Sequence, residues 1–411
     1  MPVLETATAN LYQELRSARA ESDRLFSILT QSALYARPIA ERHRVIFYVG
    51  HLDGFDSIQI CREALGVKMF DPQLDALFQA GIDPDSSHLP SDQPSDWPVV
   101  EQMQDYVRRS RELVDRHIER APEEVVQMAL EHRQMHLETL AYMFHNFGYE
   151  LKNSHLFQQQ HQTASAGQKN SWCDIPSGEA ILGKPRDAEF GWDNEYEENR
   201  QQVPAFRMQR FNVTNGEYLQ FVREGAARPH FWTERNGSLY YRGMFEEIPL
   251  PLDWPVYVTQ AQADAYARWM GKTLPTEQQF HRAAYGTTAG ASVNLPFPWG
   301  DKAPGEEHGN FDFRRWDPEP VSSSPLADSS FGVSQLIGNG WEWTSTIFGP
   351  FPGFKPRPTY PGYSANFFDG EHAVIKGASP RTAARLVRRS FRNWFRQDYP
   401  YVYATFRCVE N

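Results

Sequence analysis

The sequence predicts an α+β protein of two domains, a four-helix bundle over residues 1–155 followed by a mixed α+β domain over 171–411. Three observations point there. Apolar residues recur at helical spacing through the first third of the chain. A polar, Gln-rich stretch without that periodicity, KNSHLFQQQHQTASAGQKN at 152–170, then interrupts it. Beyond lies a different texture, short runs broken by Gly and Pro and rich in aromatic residues.

Leu11, Leu15, Ala18, Ser22, Leu25 and Leu29 share one helical face and predict a helix over 8–30. The segment 39–65, opening after Pro38, supplies a second. Val99, Met103, Tyr106, Ser110, Leu113 and His117 repeat the spacing and predict a third over 97–119, with Asp96 as its N-cap ahead of Trp97-Pro98. Ala121-Pro122-Glu123-Glu124 opens the fourth, its carboxylates set against the positive end of the helix dipole. Between the second and third helices, IDPDSSHLPSDQPSDW at 82–97 is a loop by composition. Four helices so connected form a bundle. The linker is drawn at 156–170. In the second domain only 259–270 and 276–285 carry longer helical periodicity, and no internal repeat is present.

Composition excludes some functions. A chain of 411 residues, 40% hydrophobic, can bury a sizeable core and divides into two or three domains. Its net charge of −11, from 41 Lys+Arg against 52 Asp+Glu, opposes a phosphate-tracking surface, so no nucleic-acid partner is expected. No basic-plus-apolar leader and no apolar run near the ~20 residues needed to span a bilayer is found, which predicts a cytoplasmic protein without a membrane partner. Cys61, Cys173 and Cys408 are odd in number and far apart, giving neither a disulfide framework nor a paired CxxC zinc motif; they read as buried thiols in a reduced compartment.

Histidines carry the chemistry. In EHRQMHLETLAYMFHNF, His132 and His136 are four apart, one turn apart on one helical face, and could bind a single ion. Such a pair also arises among ordinary core or surface histidines. Glu138 follows His136 by roughly 200° of helical rotation and so points away. His51, in RHRVIFYVGHLDGFD, sits on an apolar helix where an imidazole without a partner is costly; a metal ion would supply one.

Those three histidines resemble the site of DinB-like four-helix bundles, over about residues 1–155. The C-terminal part resembles the formylglycine-generating-enzyme fold, related to C-type lectins, through WCDIPSGEAILG (172–183), FNVTNGEYLQFV (211–222), VYVTQAQADAYARWMGKTLPTEQQFHRAAYG (256–286), LPFPWG (295–300) and GNGWEWT (338–344). The copper-dependent members of that superfamily use a late cysteine pair, whereas SFRNWFRQDYPYVYATFRC holds only Cys408, so formylglycine generation is not expected. A DinB-like bundle joined to this fold, with FGWDNE at 190–195, is the architecture of the sulfoxide synthases of ergothioneine and ovothiol biosynthesis. The resemblance implies Fe(II) held by His51, His132 and His136, O2 as co-substrate, and two small-molecule substrates: a histidine derivative, either histidine or trimethylhistidine, and cysteine or γ-glutamyl-cysteine. Neutral imidazoles suit Fe(II), and three protein ligands leave coordination positions open.

Residue by residue, YPGY at 360–363 resembles the family segment whose first tyrosine is a proton donor and whose second lines the histidine-substrate pocket. Tyr360 is then the candidate acid and Tyr363 a pocket wall. A phenol is protonated at neutral pH and can donate. FRNWF at 391–395 resembles RNWD, whose Asn and Trp border the betaine of trimethylated histidine; Asn393 and Trp394 carry over, the indole by a cation–π contact. Phe395 replaces an aspartate that binds the amino group of γ-glutamyl-cysteine. Met135, sharing the face of His132, replaces a glutamine, and 82–97 lacks the family's arginine pair. Free cysteine is therefore as well suited as the dipeptide. Gly340 and Pro380 also depart from the common GNVWEWT and GGSW. Thiol dioxygenation, cysteine to sulfinate, needs the same metal but no second pocket, and a lectin-like binding module needs neither, since fold alone does not give chemistry.

Overall fold

The computed structural model describes residues 2–80, 89–153, 170–288 and 294–410. It divides into two compact units, Met1–Gln158 and Gln159–Asn411. The linker placed at 156–170 lies outside the described residues but for its last position, as does the 82–88 part of the loop. The architecture is the α+β class expected, helices first and small sheets after.

The first unit holds α1 (Pro2–Phe26), α2 (Val45–Asp56), α3 (Pro72–Ala80), α4 (Val100–His117) and α5 (Glu123–His145). All six residues of the first predicted helical face are buried. With Leu113, Val114, Ile118, Val126 and Leu130, residues Leu11, Leu15 and Ala18 form one core. Several boundaries differ from the sequence reading. The first helix spans Pro2–Phe26 rather than 8–30, so Leu29 lies beyond its end. The second helix starts at Val45 rather than 39, because Arg37 and Arg44 on the preceding turn are drawn to the carboxylate of Asp92. It also does not end at Asp56 but continues as a π-helical turn, Ser57–Glu63. The third predicted helix starts at Val100, and Asp96 caps a 3-10 turn instead, accepting from the Gln93 backbone N–H at 2.7 Å. Val99, expected on the buried face, is 61% exposed. The short α3 was not anticipated; Asp71 accepts from Leu74 N at its start, Pro72 occupies its first turn, and Leu74 and Phe78 are buried one turn apart.

α2 is buried along its length except at Val49, and α3 lies against it at Gly50. A Cβ there would stand 2.4 Å from the ring of Phe78, so only glycine allows this approach. Charges are buried too. Arg133 of α5 reaches Asp53 (2.6 Å) and Asp56 (2.7 Å) of α2 and donates to Ser22 of α1 at 2.9 Å. Arg111 of α4 adds a 3.0 Å contact to Asp53. Breaking a buried pair by deleting one partner costs about 3–5 kcal/mol, so this cluster locks the four helices in one register.

The second unit contains β1 (Trp172–Ile175), β2 (Gly178–Leu182), β3 (Asn199–Val203), β4 (Phe206–Gln209), α6 (Asn215–Arg223), β5 (Trp232–Arg235), β6 (Ser238–Arg242), β7 (Glu247–Pro249), α7 (Gln260–Trp269), α8 (Glu277–Tyr285), β8 (Gly340–Ile347), β9 (His372–Ala378), β10 (Asn393–Arg396), β11 (Ala404–Thr405) and β12 (Val409–Glu410). The strands form sheets in the orders β1-β4-β12, β10-β9-β8-β11, β2-β3 and β5-β6-β7. α7 and α8 match the expected 259–270 and 276–285, while α6 was missed. Each of the three starts with the same device: Thr214, Thr259 and Thr276 accept from the backbone N–H three residues on, and the Glu217, Gln262 and Gln279 side chains accept in return from the cap backbone. Gly340, where the common motif has valine, has φ +156°, and a Cβ would stand 2.9 Å from Tyr257 and 3.0 Å from Thr405, so the departure is structural. Arg407 forms a buried bidentate pair with Glu342 of β8 at 2.7 and 2.8 Å. Cys61 and Cys408 are buried, but Cys173 is only half-buried and donates to the Gly332 carbonyl at 3.3 Å, correcting the uniform burial expected of the thiols. Among the described residues no helix is long and apolar enough to cross a membrane.

Candidate metal centre and aromatic cluster

α2 and α5 bring His51, His132 and His136 together, with one ligand atom of each within 4.8 Å of the others. Ring centroids stand 4.5–5.2 Å apart in the three pairs. Nitrogens bound to one ion at ~2.0–2.1 Å cannot exceed ~4.2 Å separation, so a small rotation of the rings closes the set on a metal. Glu138, though buried, is not part of the group. His51 is oriented by α3: its Nδ1 lies 2.7 Å from the Phe78 carbonyl oxygen, which fixes the proton on Nδ1 and leaves the Nε2 lone pair for a metal. Phe55 stacks on His132 at 3.5 Å and 12°, and Phe47 on His51 at 4.7 Å, restricting both rings. Nδ1 of His136 is buried without a hydrogen bond.

Burial pushes the His51 imidazole down to about 4, against the opposing backbone contact from Phe78. Burial, and then the neighbouring imidazoles, hold His132 and His136 well below the ordinary value. All three are neutral at pH 7, the protonation state that metals bind. Beside them, burial pushes the Asp53 carboxyl up, but Arg133 and then Arg111 outweigh it and hold the group below its ordinary value. A nitrogen-only, neutral, half-enclosed set of three suits Fe(II) or another first-row ion with positions left for further ligands. Met135, one residue before His136, is half-buried on the same helix.

The second unit gathers aromatic rings. Tyr363 stacks on Trp192 at 4.0 Å and 22°, and Trp394 stacks on Phe348 at 4.2 Å and 7°. Tyr363 and Trp394 meet edge to face at 5.5 Å, with Phe367 also 5.5 Å from Trp394. Tyr360 completes the group, 5.9 Å from Tyr363 and 6.4 Å from Trp192. The YPGY segment is a turn in which Tyr363 N donates to Tyr360 O at 3.2 Å, with Pro361 at its first corner. On β10, Asn393 accepts at Oδ1 from the Trp394 backbone N–H at 2.8 Å. Strand alternation sends Phe395 to the face opposite Trp394, where it stacks on Tyr399 at 5.3 Å. Desolvation raises the Tyr360 phenol above 10, so it stays protonated. The residues that sequence reasoning left without a role are Gly50, Phe78, Asp53, Asp56 and Arg133 in the first unit and Trp192 and Asp193 in the second. Most act through a backbone atom or across long sequence separations.

Comparison with known proteins agrees with this layout. The description "Sulfatase-modifying factor enzyme 1-like domain" matches residues 157–411. Ergothioneine biosynthesis protein 1 of Neurospora crassa is 29% identical, over 93% of this chain and 56% of that protein. Hercynine oxygenase of Mycolicibacterium smegmatis is 36% identical over 55% of this chain and 57% of its own. Hercynine oxygenase of Mycolicibacterium thermoresistibile is 32% identical over 81% of this chain and 78% of its own. The chain spans about half the length of several curated relatives that it matches, 52–56% for three of them. With a family match over most of the sequence and a hercynine oxygenase aligned along most of both chains, the protein belongs to the sulfatase-modifying factor enzyme 1-like family and, within it, to the hercynine oxygenase group.

Proposed function

We propose that the chain is a non-haem iron enzyme, a sulfoxide synthase of ergothioneine-type biosynthesis that joins the imidazole of a histidine derivative to a cysteine-type thiol using O2. The observation that carries the reading is the convergence of three neutral imidazoles, one with its tautomer fixed by Phe78. The names of the relatives, ergothioneine biosynthesis protein 1 and hercynine oxygenase, give the substrate class. Bound Fe(II) would supply the redox chemistry of O2, held by His51, His132 and His136. The protein's own residues hold and exclude: Phe47 and Phe55 wall the imidazoles from water, and the half-buried Tyr363 and Trp394 rings, backed by the buried Trp192 and by Phe348, are the π faces for a cationic ammonium. Tyr360 is assigned the proton donor's role through the YPGY resemblance, and its raised pKa keeps the proton available. The aromatic cluster favours a second substrate over simple thiol dioxygenation.

The test is anaerobic reconstitution with Fe(II), then mass spectrometry after adding O2 with each pairing of histidine or trimethylhistidine and cysteine or γ-glutamyl-cysteine. A coupled sulfoxide is expected. Cysteine should serve at least as well as the dipeptide, since losing several charge-assisted contacts of about 1.5–3 kcal/mol each erases a hundredfold preference or more. Sulfinate alone, or no oxygen uptake, overturns the reading.

A further inference from the structure

Two polar side chains beside the aromatic cluster are buried without satisfying their hydrogen-bonding capacity. Asp193 is 2% exposed and Asn194 1% exposed. Asp193 accepts at Oδ1 from the Ser364 hydroxyl at 2.6 Å, but its Oδ2 has no hydrogen bond, and neither the Oδ1 nor the Nδ2 of Asn194 has one. Buried polar groups are partnered in the great majority of cases, and each unsatisfied one costs about 1–3 kcal/mol, so two adjacent residues of this kind call for a reason.

Their neighbours point to the reason. Asp193 directly follows Trp192, whose ring stacks on Tyr363, and its hydroxyl partner Ser364 directly follows Tyr363. Asn194 is reached from the other side: its carbonyl accepts from Arg392 at 3.5 Å, and Arg392 lies over Phe348, the ring stacked on Trp394. Asp193 and Asn194 are thus each joined to residues of the aromatic cluster, one through Ser364 and the other through Arg392. Burial pushes the Asp193 carboxyl up, although Ser364 donates to it and the backbone N–H groups of Arg357 and Asn194 face it without closing a bond to Oδ2. The nearby Arg357 guanidinium also draws the carboxyl down by its charge while donating to the Gly191 carbonyl at 2.6 Å and lying over Phe190, and no hydrogen bond from it reaches Oδ2. A buried carboxylate with one unfilled acceptor, near the half-buried rings of Tyr363 and Trp394, is suited to an organic cation.

We propose that Asp193, with Asn194 beside it, is a specificity-determining residue that recognises the α-ammonium end of the imidazole substrate at the aromatic cluster. This rests on the function proposed above and goes beyond it by naming the group that senses the substrate's charge. The free oxygen accepts a hydrogen bond from a primary ammonium, whereas a quaternary ammonium gains only the charge attraction. Asp193 therefore matters more for histidine than for trimethylhistidine, the latter relying on the rings.

The test uses the full chain loaded with Fe(II) under anaerobic conditions without thiol, so that no turnover occurs, and reads ligand binding by tryptophan fluorescence and calorimetry. The probes are histidine, trimethylhistidine and imidazole propionate, which keeps the ring and carboxylate but lacks the ammonium. The unmodified protein is expected to bind histidine at least about tenfold more tightly than imidazole propionate, the size of one charge-assisted hydrogen bond. Asp193→Asn should remove that gap, leave imidazole propionate unchanged, and weaken trimethylhistidine less than histidine. Ser364→Ala, which frees the carboxylate to rotate, should narrow the gap and serves if Asp193→Asn does not fold. A gap that persists in whichever variants fold overturns the assignment of Asp193 while leaving the function intact. A purely structural role would lower the melting temperature and shift all three ligands alike. Failure of the unmodified protein to bind any of the three overturns the functional reading itself.

Discussion

The carbonyl oxygen of Phe78 lies 2.7 Å from Nδ1 of His51, and the contact exists because Gly50 lets the two helices close to a distance that a single methyl group would prevent. A backbone atom of one short helix thereby decides which nitrogen of a histidine on another is free to bind. Gly50→Ala should push Phe78 away and release the imidazole. Overpacking of this kind costs about 1–3 kcal/mol, and losing a ligand's orienting partner about 10–100-fold in metal affinity. Denaturant unfolding and a competitive Fe(II) titration measure the two effects, and unaltered affinity would detach Phe78 from the site.

His136→Ala should abolish stoichiometric iron binding. The ring is at the half-buried end of the trio, so the bundle should still fold. Elemental analysis of the anaerobically loaded protein, alongside circular dichroism, checks both halves; iron at full occupancy would remove His136 from the ligand set.

Glu195 is fully buried, and burial pushes its carboxyl up, but Arg388 (2.5 and 2.8 Å), Ser390 (2.6 Å) and the Trp192 N–H (2.8 Å) hold it below its ordinary value. A carboxyl with a depressed folded-state pKa stabilises above its unfolded value, ~4.3, and loses that contribution as pH falls through the folded value. Arg388→Met removes the ion-pair partner and leaves Ser390 and the Trp192 N–H as donors. The variant should be less stable than the parent by about 3–5 kcal/mol at pH 7, and the difference should shrink as pH drops below ~4.3. Unfolding midpoints followed from pH 7 down to about pH 3 decide it; a difference independent of pH would mean that Arg388 acts by packing alone.

Tyr360→Phe keeps the ring and removes the donor. Iron binding should persist, while the product shifts from the coupled sulfoxide toward the sulfinate of the thiol. General acid catalysis is worth about 10²–10⁴-fold, so even partial loss shows in the product ratio. Rate and ratio both unchanged would return Tyr360 to a packing role beside Tyr363 and Trp192.

The parts of the fold written in local spacing were legible. Leu11 through Leu25 keep one period and are buried on one face of α1, and the Thr-x-x-Glu/Gln starts of α6, α7 and α8 are visible as letters. The pairing of His132 and His136 follows from helical geometry, but the approach of His51 depends on helix packing. Other features resist such reading for definite reasons. Phe78 contributes a carbonyl, which every residue has, so no letter marks it. The Arg133 cluster joins residues some 80 positions apart and needs the packed bundle to exist. Val99 fits the apolar period yet is exposed, since the helix starts one residue later and the face ends at Met103. Trp192 meets Tyr363 only once two loops of the second unit are in place.

The buried cluster of Arg133, Asp53 and Asp56 has a consequence for which ion the protein carries. Because that cluster ties α2 to α5 through groups other than the imidazoles, the three histidines are positioned by packing, and three neutral nitrogens carry no charge or softness that singles out iron. Such a set of imidazoles ranks first-row ions by the general order in which copper and zinc exceed iron. If these imidazoles hold a metal, its identity is then expected to follow supply, and protein prepared in media of different metal content should differ in the ion it retains.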